Sequence, residues 1–102
     1  MDIEIIKSPS KGTLRMLKKR SYQSDFLKDS MCDAVGLVQG RLSEMFVASD
    51  IAEKAADVLV EEIMGVCPQH FTLIAIYGDT ASVTVALTAI SKIFKGKFDV
   101  NV

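Results

Sequence analysis

The 102-residue chain has no tryptophan, one histidine, two cysteines and two prolines. Two cysteines, Cys32 and Cys67, are too few for a disulfide framework, and in a cytosolic setting both stay reduced. No apolar run reaches the ~18 residues of a membrane span. The opening Met1-Asp2-Ile3-Glu4 is acidic and lacks the apolar core of a signal peptide, so the expected location is cytoplasmic. G-x-S-x-G, P-loop, G-x-G-x-x-G and H-E-x-x-H motifs are all missing, which removes the commonest catalytic signatures. A formal net charge of −1 argues against a general nucleic-acid binder.

Hydrophobic residues make up 49% of the chain and charged residues 25%, the composition of a folded domain. A chain of this size buries roughly 65% of its surface on folding, enough for one modest core. The charge is segregated. Residues 1–43 carry a net +3, residues 44–79 a net −6 and residues 80–102 a net +2.

Ile3-Glu4-Ile5-Ile6 predicts a short strand. Ser8-Pro9-Ser10-Lys11-Gly12 predicts a turn, with proline presetting φ and glycine accepting positive φ. Thr13–Leu17 is then expected as a second strand and Ser24–Asp29 as a short helix. The apolar run Ala34–Val38 predicts a buried strand. Ser43 is the expected N-cap of a helix from Glu44 to about Val58. Its inner face is Ala48, Ile51, Ala52, Ala55 and Leu59, and Asp50 and Lys54 are spaced to pair on the outside. Leu59–Val66 and the uncharged, β-prone Phe71–Tyr77 predict two further strands. Gly78-Asp79-Thr80 turns into a helix with the stripe Val83, Ala86, Leu87, Ile90, Ile93 and Phe94. Gly96 stops it, and Phe98–Val102 alternates as an edge strand. From residue 34 onward the order is β-α-β-β-α-β. This is an α/β class domain (α+β by layers) with a ferredoxin-like split βαβ core.

Few residues suggest chemistry. Cys67 and His70 stand at a C-x-x-H spacing around Pro68 and Gln69. Thiolate and imidazole suit zinc or iron, but a closed site needs about four ligands and one chain supplies two. No metal or other cofactor is therefore expected, with Cys67 and His70 the weak candidates should several copies converge on one axis. Glu61 and Glu62 are adjacent, so in a strand they point to opposite faces and make no acid–base pair. Lys18-Lys19-Arg20, with Lys11 and Arg15, forms a basic cluster without the aromatics of a single-strand nucleic-acid platform.

Three pieces together resemble the BMC domain of bacterial microcompartment shell proteins. They are Asp33-Ala34-Val35-Gly36-Leu37-Val38, with its apolar-Gly-apolar centre; Ala48–Val58, with an A-x-D-x-x-x-K-A-A pattern; and Ile76–Val83 ending in Ala86-Leu87, with its Gly-Asp turn. About 32 residues precede the first piece and only a short strand follows Gly96. That layout, with Ile5-Ile6, Pro9 and Lys11-Gly12-Thr13-Leu14, resembles the circularly permuted subtype found in propanediol, ethanolamine and choline compartments.

The resemblance implies one permuted BMC domain over residues 1–102 and a non-enzymatic structural protein. It implies a homohexameric tile that joins other shell proteins in a layer around enzymes, some of them possible partners, with neither nucleic acid nor membrane bound. It places residues 1–12 apart from the 13–102 core, with Ile3, Ile5 and Ile6 in an axial β-barrel. Lys54 falls at the tile–tile edge and the loop Cys67-Pro68-Gln69-His70 at the central pore, without the glycines usual there. The rival readings are a ferredoxin-like regulatory module similar to ACT domains, which binds small ligands as a dimer, and a solitary enzyme built on Cys67 and His70.

Overall fold

A computed structural model of the chain describes residues 1–21, 32–64 and 71–94. The elements are β1 (Asp2–Lys7), α1 (Lys11–Arg20), β2 (Ala34–Arg41), α2 (Leu42–Ala55), β3 (Leu59–Ile63), β4 (Phe71–Gly78) and α3 (Thr80–Phe94). The four strands form one sheet in the order β1-β2-β4-β3, and every neighbouring pair is antiparallel. β2 and β3 are thus parallel with β4 between them, joined through α2, which is the split βαβ expected from the sequence.

The sheet has a core on each face. On one, Ile3, Ile5, Val38, Ile74 and Ile76 meet Met45, Ala48 and Ala52 of α2 and Val83, Ala86, Leu87 and Ile90 of α3. On the other, Val35, Ile63, Ala75 and Tyr77 meet Leu17 of α1, with Leu14 packed beside it. The small residues of α2 and α3 let both helices lie close to the strands. The closest approach is at Gly36, under Leu87.

Local chemistry explains most boundaries. The Asp79 carboxylate accepts from Ser82 N at 2.7 Å and caps α3. That backbone N–H, and then the Ser82 hydroxyl, hold the Asp79 carboxyl below the usual carboxylate range. α2 begins earlier than expected, with Arg41 and not Ser43 as its N-cap residue. Glu44, at the third helical position, reaches back to accept from Arg41 N at 3.0 Å, which ties the chain at Arg41 and starts the helix there. α2 also ends at Ala55, which is exposed, and Leu59 opens β3 at 49% exposure, so neither belongs to the buried face. On α3, Ile93 is likewise exposed, at 62%.

Two expectations about the first 20 residues are corrected. Thr13–Leu17 is not a strand but the middle of α1. The Ser10 hydroxyl accepts from Thr13 N at 3.2 Å, Leu14 and Leu17 lie three apart on the sheet side, and Lys18, Lys19 and Arg20 favour the helix C-terminus. Gly12 belongs to this helix and has no positive φ; Ser8, at φ 51°, makes the reversal instead.

The second correction concerns Ile3, Ile5 and Ile6. β1 is hydrogen-bonded along its whole length to β2, Asp2 opposite Gln39 through Lys7 opposite Ala34. Ile3 and Ile5 are sealed in the larger core at 7% and 5% exposure, and Ile6, on the opposite face, is half-buried. Residues 1–7 are therefore part of the body of the domain. An axial barrel would have to pull two core side chains out and strip β2 of its partner. The expected helix 24–29 and strand 98–102 lie outside the described residues.

Candidate functional site

The sheet has two ends. At one, Arg41 stands opposite Phe71, and β3 finishes at Ile63 beside Leu73. Residues 65–70, which include Cys67, Pro68, Gln69 and His70, join β3 to β4 at this end and lie outside the described residues. At the other end Ala34 stands opposite Gly78, and Leu59 opposite Tyr77. The C-terminus of α2 returns to this second end, where Asp57 O and Val58 lie against Gly78. Lys54 is therefore held at the end away from residues 65–70. Eight extended residues of β2 separate the two, roughly 25 Å. Its Nζ is 2.9 Å from Asp50 Oδ2, and both side chains are well exposed.

Between α2 and the β3 edge runs a mostly apolar groove of about 120 Å³, lined by Leu42, Met45, Phe46, Val60, Thr72 and Ile74 together with Ser49 and Glu62. Phe46 is 70% exposed there. A helix that buries Met45, Ala48 and Ala52 necessarily turns Phe46 outward, so this surface was readable from the helical period and was missed. On the opposite face, α1 ends against the β3 edge. Ser21 bridges Ile63, and Met64 N donates to Arg20 O at 2.7 Å. The basic cluster is thereby fixed beside Met64, the last described residue before 65–70.

Glu61 and Glu62 do point to opposite faces. Glu62 lines the groove, while Glu61 is 5% exposed. Tyr77, across β4 on the same face as Glu61, is 3% exposed, and its hydroxyl has no hydrogen-bond partner among the described residues. Burial, and then the Glu61 carboxylate and the Cys32 thiol, push the Tyr77 phenol far above its ordinary value. Burial also raises the half-buried Cys32 thiol. Among the described residues, no three His, Cys, Asp or Glu side chains gather to hold a metal ion, and no helix is long and apolar enough to cross a membrane.

The BMC domain family model matches residues 34–101, two thirds of the chain. The chain belongs to the BMC domain family. The ligand-free GrpU microcompartment shell protein from Clostridiales bacterium 1_7_47FAA is 42% identical, with 94% of each chain covered and a TM-score of 0.70. The ligand-free GrpU shell protein from Pectobacterium wasabiae is 34% identical over 88% of this chain and 99% of its own, with a TM-score of 0.69. The fused permuted hexameric shell protein MSM0275 from the RMM microcompartment is similar in fold. It has a TM-score of 0.73 at 18% identity, over 94% of this chain and 46% of that one. No curated protein matches. This BMC domain is of the permuted kind, and the strand pairing shows how: the family match starts at β2, yet β1, which precedes it, occupies the sheet position beside β2. Its role is that of a structural shell protein of a microcompartment.

Proposed function

We propose that this shell protein assembles as a homohexameric tile, with residues 65–70 around the sixfold axis and Lys54 at the perimeter, where tiles meet edge to edge in the shell of a cytoplasmic microcompartment. The observation that carries the reading is the placement of Lys54 and the 65–70 connection at opposite ends of one sheet. A wedge with its pore element at one end and its edge element at the other closes into a ring by cyclic symmetry. The exposed Phe46 and its groove give each wedge an apolar flank to bury against a second copy. Such a tile acts by enclosing enzymes and not by catalysis. Its partners are other shell proteins and the enclosed enzymes. Cys67 and His70 from several copies are the candidates for a shared metal on the axis, since two ligands per chain become a full set only by convergence.

The test is absolute mass by light scattering followed by electron microscopy of the same sample. A mass of about 67 kDa, six copies of 11.1 kDa, is expected, with ring-shaped particles and extended sheets. Lys54→Ala is expected to leave hexamers that no longer form sheets. Sheets formed by the variant as readily as by wild type refute the perimeter assignment. A stable dimer of about 22 kDa refutes the tile and favours a ligand-binding module.

A further inference from the structure

The groove between α2 and the β3 edge has the Phe46 ring exposed at its side, and its lining holds one carboxylate, Glu62, and no cation. An apolar cavity of about 150 Å³ takes one benzene ring. A groove of about 120 Å³, open to solvent, therefore suits one aromatic side chain with smaller apolar neighbours. α3 starts at the Asp79 cap, at the Ala34–Gly78 end of the sheet, and packs over β4, β2 and β1. Its 15 residues span roughly 22 Å. It therefore finishes at the other end, where Leu42 and Thr72 line the groove, with Phe94 packed on the core. Outside the described residues, Lys95-Gly96-Lys97-Phe98-Asp99-Val100-Asn101-Val102 follows. Phe98, Val100 and Val102 alternate with polar residues, so in extended form they share one side. Two lysines stand against one aspartate in this segment, and eight extended residues reach about 26 Å.

We propose that residues 95–102 of one copy lie in the α2–β3 groove of the next, with Phe98 beside Phe46 and the two lysines beside the Glu62 carboxylate, so that each ring is tied together by exchanged arms. The proposal rests on the hexameric reading above. In that ring the strands run from axis to perimeter, and the two sheet edges, β1 and β3, are the flanks of the wedge. α3 covers the β1 side and α2 the β3 side. Joining copies head to tail sets the α3 flank of one against the groove of the next. The Phe94 end of α3 then falls at the mouth of a neighbour's groove. Within one copy α2 stands between α3 and the groove. An arm reaching its own groove would have to climb over the first turn of α2, where Leu42 and Ser43 are exposed. Held on a closed ring, each arm meets its neighbour's groove at high effective concentration, so one seated ring and a few methyl groups are enough to keep it there.

The experiment uses the full chain, and mass is measured first on each sample. A non-hexameric wild type overturns the tile and the arm exchange with it, whereas a hexamer that fails the tests below overturns the exchange alone. The chain has no tryptophan, so Phe98→Trp carries a single reporter. Its emission is expected to lie to the blue of the same variant in urea, and to move to the red when Phe46→Ala is added. Phe46 is exposed, so its replacement leaves the fold intact. Emission already at the urea position, or unmoved by Phe46→Ala, overturns the proposal. In a Cys32→Ser/Cys67→Ser background, Ser49→Cys/Val100→Cys places one thiol in the groove and one on the arm. Oxidation is expected to give a ladder of covalent oligomers up to about 67 kDa, six copies of 11.1 kDa. Lys11→Cys/Val100→Cys, whose first thiol sits on α1 across the sheet, is expected to give roughly tenfold less product. A product that stays at the mass of one chain shows an arm folded onto its own groove and overturns the exchange. A ladder of equal yield from the two pairs does the same, because it reports collision and not seating.

Discussion

Gly36→Ala is expected to destabilise the domain through a single side chain, Leu87. A Cβ built on Gly36 lies 2.9, 3.0 and 3.1 Å from Leu87 Cδ2, Cδ1 and Cγ. Ordinary carbon contacts are about 3.5–4.0 Å, so Leu87 must retreat by roughly 0.5–1 Å. It has nowhere open to go, being fully buried among Val83, Ala86 and Ile90. Overpacking of this kind costs about 1–3 kcal/mol. Alanine also restricts the unfolded chain, which returns about 0.4–1 kcal/mol. The clash wins, for a net loss of roughly 1–2 kcal/mol and a Tm lower by about 4–8 °C per kcal/mol. Leu87→Ala alone should cost about 2–5 kcal/mol as a cavity. In the double variant the methyl added at position 36 points into the space Leu87 vacates, so the combined loss should fall short of the sum by about 1–3 kcal/mol. Urea unfolding of the four proteins reads all three values, at one fixed protein concentration because assembly adds to apparent stability. A Gly36→Ala domain as stable as wild type, together with an additive double variant, would refute the argument.

Two further outcomes follow from the opposite faces of the sheet. Tyr77→Phe removes a buried hydroxyl that has no partner among the described residues, so the variant should match or exceed wild-type stability, by about 1 kcal/mol. Because burial raises the folded-state phenol, its share of stability is complete below the ordinary value of 10.0 and is lost as pH rises beyond it. Urea melts from pH ~8 to ~11 should show a steep alkaline decline in wild type and a shallower one in Tyr77→Phe. A large loss at neutral pH would show that the hydroxyl is bonded. Deleting residues 1–8 should give an unfolded or aggregating chain and not a tile with a wider axis. The deletion exposes the edge of β2 and takes Ile3 and Ile5 from the core. A deletion variant that still melts cooperatively near the wild-type temperature would show that β1 is dispensable.

The contrast between β4 and β1 shows where a single sequence stops being informative. Phe71–Tyr77 announced itself by a long uncharged run, since a strand buried on both faces needs apolar residues at every position. α3 did so through its 3.6-residue stripe and the Asp79 cap, both local signals. α1 carried equally local signals, the Ser10 cap and the Leu14–Leu17 spacing. It also has Leu14 and Met16 two apart, which imitates a strand until Met16 is seen to be 66% exposed. β1 is another matter. Its Ile3-Ile5 alternation gives a strand and a buried face but does not name the partner, because pairing with β2 is a contact across some thirty residues. The resemblance supplied a partner, other copies on an axis, and that was wrong for a physical reason. α3 packs over β1 as well as β2 and β4. With no β1, part of α3 would hang over an open sheet edge. The chain instead spends its first strand on extending the sheet beside β2, so the N-terminal residues lend the domain stability. Connectivity alone places Lys54 at the end of the sheet away from residues 65–70, whereas the position of the α1 C-terminus beside Met64 needed the Arg20–Met64 hydrogen bond to locate it.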